Sequence, residues 1–195
     1  IIIFIIIIFI ILVAINVIRN YLILKSISDN SNNIESQLNN YYYEETLVGS
    51  SNNTSISSKV EEYSYNGIYL VKSYVNNELN STIWYDSNAD KGFSIDNNNV
   101  QNTDINKVFL DDYKNLLLFN NNNLNSDIST ILSQTIFMPI LKENNRYVIS
   151  AYDGKFYVNK DTSLIEEISS NNTTKTFSFE SGVVTAEDVE RPDNQ

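Results

Sequence analysis

Carboxylates are the side chains of this sequence with the widest chemical reach, because it contains no histidine and no cysteine. That excludes Cys–His and Ser–His nucleophilic sites and histidine-ligated zinc. Three adjacent pairs, Glu44–Glu45, Glu61–Glu62 and Glu166–Glu167, have the composition of an acid–base dyad. Each lies in a β-branched, aromatic run, and neighbours on a strand point to opposite faces. The expectation is therefore three split pairs at strand edges or in solvent. Asp111–Asp112 falls in a segment of helical period, about 100° apart around the axis, and reads as a solvated flank. No S-x-x-K motif supports a Ser–Lys nucleophile, and the five glycines make neither a P-loop nor a G-x-G-x-x-G. Neither catalysis nor a cofactor is expected.

The stretch DSNADKG, residues 86–92, could instead hold calcium. Asp86, Asn88 and Asp90 occupy positions 1, 3 and 5 of an EF-hand register. Position 6 is Lys91, Gly92 comes one residue late, and Asn97 stands where a bidentate glutamate is needed. Strand signals flank the loop where an EF-hand has helices. The same turn grammar recurs in Asn159–Thr162, which carries no calcium pattern. Both are expected to be turns between strands, with no metal.

Aromatic residues are the other chemical resource: 13 Tyr, 9 Phe and one Trp, mostly in strand runs. In GIYLVKSYV, Ile68, Leu70 and Tyr74 share one face, and Tyr69, Val71 and Val75 share the other. A sheet solvated on one side needs less apolar surface than that. Ordinary core packing is one account; a sheet curved around an apolar cavity is the other. Each buried methylene of a lipid chain contributes about 0.8 kcal/mol, so a long chain supplies on the order of 10 kcal/mol before ordering costs. The candidate cavity residues are Leu70, Trp84, Phe109, Phe177 and Phe179.

Strands must position these side chains. YYYEETLVG, SISSKVEEYSY, GIYLVKSYV and STIWYD are separated by Gly, Asn and Ser, at meander spacing. Asn66–Gly67 is a hairpin signal, because a type I′ turn needs residues that tolerate positive φ. Between Thr103 and Pro139 the period becomes helical. Ile105, Phe109, Tyr113, Leu116 and Leu117 share one face; Ile128, Ile131, Leu132 and Ile136 share another. Strands return in MPILKE, RYVISAYD, KFYVN, SLIEEISS and KTFSFE, and a last helical turn stops at Pro192. The expected fold is α+β: a curved antiparallel sheet (half-barrel) with two helices packed on one face.

Ahead of this domain, residues 1–18 carry no charge and one polar side chain, Asn16. Eighteen residues make about 27 Å of helix, close to the thickness of a bilayer core. An uncleaved anchor over 1–24 is favoured over a cleaved signal peptide, which would have a shorter apolar run and an A-x-A-like site. Residues 25–40 read as a polar tether with a short helix near Ile34–Leu38, residues 41–190 as the β domain with a helical insertion at 104–138, and residues 191–195 as a tail. All 24 acidic residues follow position 26, whereas Arg19 and Lys25 flank the anchor. Such a domain repels nucleic-acid phosphates and anionic headgroups. An acidic domain behind a first anchor is usually exported. The expected location is the cell membrane, single-pass, with the C-terminal domain extracytoplasmic.

The meander YNGIYLVKSY…STIWYDSNADKGFSID, the helical insertion and the return FYVNKDTSLIEEI together resemble the lipoprotein-carrier (Lol-type) fold of bacterial envelopes and its membrane-anchored Gram-positive relatives. The resemblance covers residues 35–190 and rests on architecture. It implies a half-barrel enclosing an apolar cavity for lipid chains. The chain departs from the soluble carriers in keeping an anchor, and its only arginines are Arg19, Arg146 and Arg191, none placed distinctively for a lid. The function expected is lipid or lipoprotein binding; the alternative is a non-catalytic structural or sensory ectodomain. Partners are then the membrane, through the N-terminal helix, and lipid acyl chains or an envelope protein. Nucleic acid is not among them.

Overall fold

The computed structural model describes residues 1–51, 54–96, 99–101, 112–119, 128–151 and 154–192. Helix α1 (Ile2–Ser31) is followed by β1 (Asn40–Ser51), β2 (Thr54–Tyr65), β3 (Ile68–Val75), β4 (Glu78–Asp86), β5 (Lys91–Asp96) and β6 (Asn99–Gln101). Then come α2 (Ile128–Gln134), β7 (Leu141–Glu143), β8 (Arg146–Ala151), β9 (Gly154–Asn159), β10 (Ile165–Ser170) and β11 (Thr173–Ser181). The chain is thus α+β, with an apolar N-terminal helix, antiparallel strands that do not close into a barrel, and a second helix.

The chain divides into two compact units, and the stretch expected as the β domain, 41–190, contributes to both. The first combines Ile1–Asn32 with Lys114–Asn171, and the second combines Asn33–Tyr113 with Asn172–Gln195. In the first, the strand order is β10-β9-β8-β7; in the second, β6-β5-β4-β3-β2-β1-β11. Every strand run read from the sequence forms a strand here. The helical insertion agrees less well. Residues 104–111, including Phe109, lie outside the described residues. Asp112–Leu116 is a single 3-10 stretch with Leu116 buried, and α2 has seven residues.

No helix boundary falls at residue 24, where the anchor was expected to give way to the tether. Helix α1 runs on to Ser31 and passes into a 3-10 stretch, Asn32–Gln37, two residues before β1 begins. Asn20, Ile23, Leu24, Ile27 and Ser31 are its buried residues, one face at helical spacing. An isolated apolar residue every third or fourth position is enough to pack a helix, so KSISDNS continues it although the stretch is mostly polar. Upstream, Ile1–Leu12 is exposed on all sides.

The second unit is built on hairpins with positive-φ turns. Asn66 and Gly67 have φ of 50° and 83°, as a type I′ turn requires. Asn76 and Asn77, at 50° and 68°, make a second such turn between β3 and β4.

Candidate functional site

Antiparallel register decides which side chains share a face. On one face of the second unit, Leu70 of β3 lies opposite Trp84 of β4, and Trp84 lies opposite Phe93 of β5. Trp84 and Phe93 stack at 5.7 Å. The C-terminal segment covers this face: Val184 and Val189 are buried against Leu70, and the Trp84 Nε1–H donates to the Val189 carbonyl at 3.0 Å. Asn40 clamps the segment, donating to the Val184 carbonyl at 2.7 Å and accepting from its N–H at 2.9 Å. The Arg191 guanidinium sits 5.6 Å from the Trp84 ring and 5.0 Å from Phe93. Residue 191 is therefore part of this packing and does not begin a free tail.

Phe177 and Phe179 occupy the other face. They lie opposite Glu45 and Tyr43 of β1, and Phe179 stacks on Tyr41 at 5.5 Å. Of the residues named for the cavity, the four that are described do not share one face. Leu70 and Trp84 pack on one side of the sheet, and Phe177 and Phe179 on the other. The cause is parity: the path from β3 through β2 and β1 to β11 fixes which alternate set faces which way.

Register also brings together carboxylates that chain neighbours split. Glu44 is the cross-strand partner of Glu61, on the Leu70 face. Tyr42 O–H donates to Glu44 at 2.7 Å; Tyr74 and Tyr63 donate to Glu61 at 3.0 and 3.4 Å; Lys59 pairs with Glu61 at 2.5 Å. On the Phe177 face, Tyr43 O–H and Lys175 Nζ reach Glu45 at 2.9 and 2.7 Å, and Tyr41 O–H donates to fully buried Glu62. Every glutamate of these two pairs thus accepts a tyrosine hydroxyl. The signal was present in the sequence: in YYYEE and EEY, Tyr and Glu two apart on a strand share a face.

These contacts keep Tyr41, Tyr42 and Tyr63 protonated and Glu61 ionised. Burial, then the Glu62 charge, pushes the Tyr41 hydroxyl far up; burial, then the hydrogen bond to Glu44, raises Tyr42. Tyr63 is pushed up to about 12, chiefly by burial and then by the Glu61 charge. Burial acts to raise Glu61, but the hydrogen bonds from Lys59 and Tyr74 with the Lys59 charge outweigh it, and its carboxyl lies below the usual range. The tyrosines are donors and Glu61 is an anion, which makes a structural polar network with no phenolate nucleophile at neutral pH.

The third pair departs from the split expected of it. Arg146 lies 4.0 Å from Glu166 and 3.6 Å from Glu167. A bulge between Ile165 and Glu167 interrupts the alternation, so adjacent residues reach one guanidinium.

DSNADKG forms the turn between β4 and β5. Asp86 Oδ1 accepts from the Asn88 and Ala89 N–H groups at 2.9 and 3.3 Å, and Tyr85 O–H donates to Asp90 at 3.0 Å. Ser87 Oγ and Asn88 Nδ2 bond the Gly67 and Asn66 carbonyls at 2.7 and 3.0 Å, which fastens this turn to the neighbouring hairpin. Asn159 Oδ1 accepts from Asp161 and Thr162 in the same pattern, at 2.8 and 3.1 Å. Both stretches are therefore the strand-connecting turns that their sequences predict.

The first unit contains a junction the sequence reading missed. Asn16 Nδ2 donates to the Ile136 and Thr135 carbonyls at 2.8 and 3.2 Å. Fully buried Asn20 donates to the Thr135 and Met138 carbonyls at 3.0 and 3.1 Å and accepts from Ile140 N–H at 3.1 Å. Arg19 donates to the Ile140 carbonyl at 2.7 Å. Helix α1 therefore caps the C-terminal end of α2 and the loop after it. Beside it lies a groove of about 420 Å³ lined by Ile15, Ile18, Arg19, Leu22, Ile23 and Lys142. A larger groove of about 710 Å³, lined among others by Met138, Ser150, Lys155, Tyr157 and Ser169, crosses β8, β9 and β10. Helix α1 is long and apolar enough to cross a membrane, by length and composition. The chain matches no protein-family model, and no characterised protein is significantly similar to it.

Proposed function

We propose that the protein is a single-pass membrane protein whose folded part lies outside the cytoplasm and serves as a non-catalytic interaction module of the cell envelope. One observation carries this reading. Val48, Ile56, Val75 and Leu79 are 44–56% exposed, and the register of β1 to β4 places them at one end of the second unit, Ile56 and Val75 on the Phe177 face and Val48 and Leu79 on the Leu70 face. Exposed apolar side chains gathered at one place mark a contact surface. Carriage of a lipid chain in a half-barrel is less well supported, because Leu70 is covered by Val184 and Val189 and the phenylalanines lie on the opposite face. The acidic charge after residue 26 supports export.

Photo-crosslinking residues placed at Ile56 and Val75 in native membranes test the reading. Discrete protein adducts are expected from both positions and none from Glu180, which is exposed on β11. Lipid adducts alone, or equal labelling from all three, would overturn it.

A further inference from the structure

The loop that α1 holds carries large apolar side chains that take no part in a core. Phe137 is 74% exposed and Met138 49%, with Leu141 exposed just beyond them. Main-chain groups of this loop are bonded by Asn16, Arg19 and Asn20, so its height along α1 is set to within about one helical turn. Arg19 is the first charged side chain of α1 and Lys25 the second, and the charges that flank an apolar span settle at the bilayer interface. Phe137 and Met138 are thereby held where the acyl region gives way to headgroups. In the groove at the same level, Arg19 and Lys142 stand among Ile15, Ile18, Leu22 and Ile23, with no carboxylate in its lining among the described residues. Two cations above an apolar wall suit a phosphate joined to acyl chains. The acidic composition of the chain as a whole conceals this local basic site.

We propose that residues 137–142, the loop after α2 and the start of β7, are a second membrane contact: Phe137 and Met138 enter the bilayer interface beside α1, and Arg19 and Lys142 receive the phosphate of an anionic phospholipid. The inference rests on α1 lying in a membrane. It makes the first unit a body seated on the bilayer surface at a fixed height.

The absence of native cysteine allows unambiguous spin labelling of the full chain in vesicles. Labels are placed by Met138→Cys, by Ile7→Cys in the anchor and by Leu79→Cys in the second unit. The labels at 138 and 7 are expected to be shielded from a water-soluble nickel relaxant, and the label at 79 open to it. Adding phosphatidylglycerol to phosphatidylcholine vesicles should deepen the shielding at 138. Lys142→Gln should lower the ratio of docked to undocked loop about fivefold in the anionic vesicles. Phe137→Ser, at an exposed position, should open the 138 label to nickel without changing the label at 7. A label at 138 as accessible as that at 79, with 7 shielded, overturns the second contact and leaves the anchor standing. A label at 7 open to nickel overturns both. Shielding at 138 that ignores both phosphatidylglycerol and Lys142→Gln refutes the headgroup site.

Discussion

Asn20 shows how much one polar side chain can organise. It is fully buried on a helix of aliphatic neighbours and makes three hydrogen bonds to the end of α2 and its loop. Asn20→Ala leaves two carbonyls and an N–H without these partners, at a cost of about 2–4 kcal/mol, read by thermal unfolding of the full chain in detergent. Asn20→Asp should cost no less at neutral pH, because its carboxylate would face the Thr135 and Met138 carbonyls. The tyrosine–glutamate network sets the pH limits of the second unit. Glu61 has a folded pKa below its ordinary 4.5, so the stability it contributes is present above that pH and lost as pH falls through the folded value. Tyr63 is raised from 10.0 to about 12, so its contribution is complete below pH 10 and lost as pH rises through about 12. Denaturant midpoints followed against pH should decline on both sides, and Glu61→Gln should flatten the acid limb.

At the scale of elements, turns and strands follow from local chemistry. Gly67 combines a φ of +83° with a close approach, since an added Cβ would meet Ser87 Oγ at 2.6 Å and Asn88 Nδ2 at 3.0 Å. Gly67→Ala is expected to cost about 1 kcal/mol or slightly more in the same unfolding assay, with the flexible side chains absorbing part of the clash. The C-terminal segment is worth more. Ending the chain after Gly182 removes buried Val184 and Val189 and uncovers Leu70, which should cost about 3–5 kcal/mol. Trp84 emission would report it, shifting to the red as the indole loses Val189 and meets water. The sequence showed this segment as one helical turn, and Glu187–Val189 is that turn. Its role as the cover of a sheet face depended on Asn40, 144 residues away in sequence from Val184.

For the whole molecule, the N-terminal helix divides near Asn16 into an exposed apolar stretch and a stretch with one buried face. Removing residues 1–15 takes away only side chains that are exposed or partly so, whereas removing 1–31 also deletes fully buried Leu24 and Ile27. The shorter truncation should give a folded protein held to membranes only through Phe137, Met138, Arg19 and Lys142, and so released from them by high salt. The longer one should lose the first unit, measured as lost secondary-structure signal and protease resistance, because several kcal/mol of core burial go with it. Apolar periodicity, turn residues and charge placement are properties of neighbouring residues. The sequence by itself therefore determined the apolar helix, nearly every strand, the Asn66–Gly67 hairpin and the turn at DSNADKG. Partnership between distant segments is decided by register, by bulges and by the parity of strand pairing. Only the tertiary structure could set Glu44 against Glu61, bring Glu166 and Glu167 to Arg146, put Leu70 and Phe177 on opposite faces, and fasten a membrane-length helix to a loop more than 110 residues further along the chain.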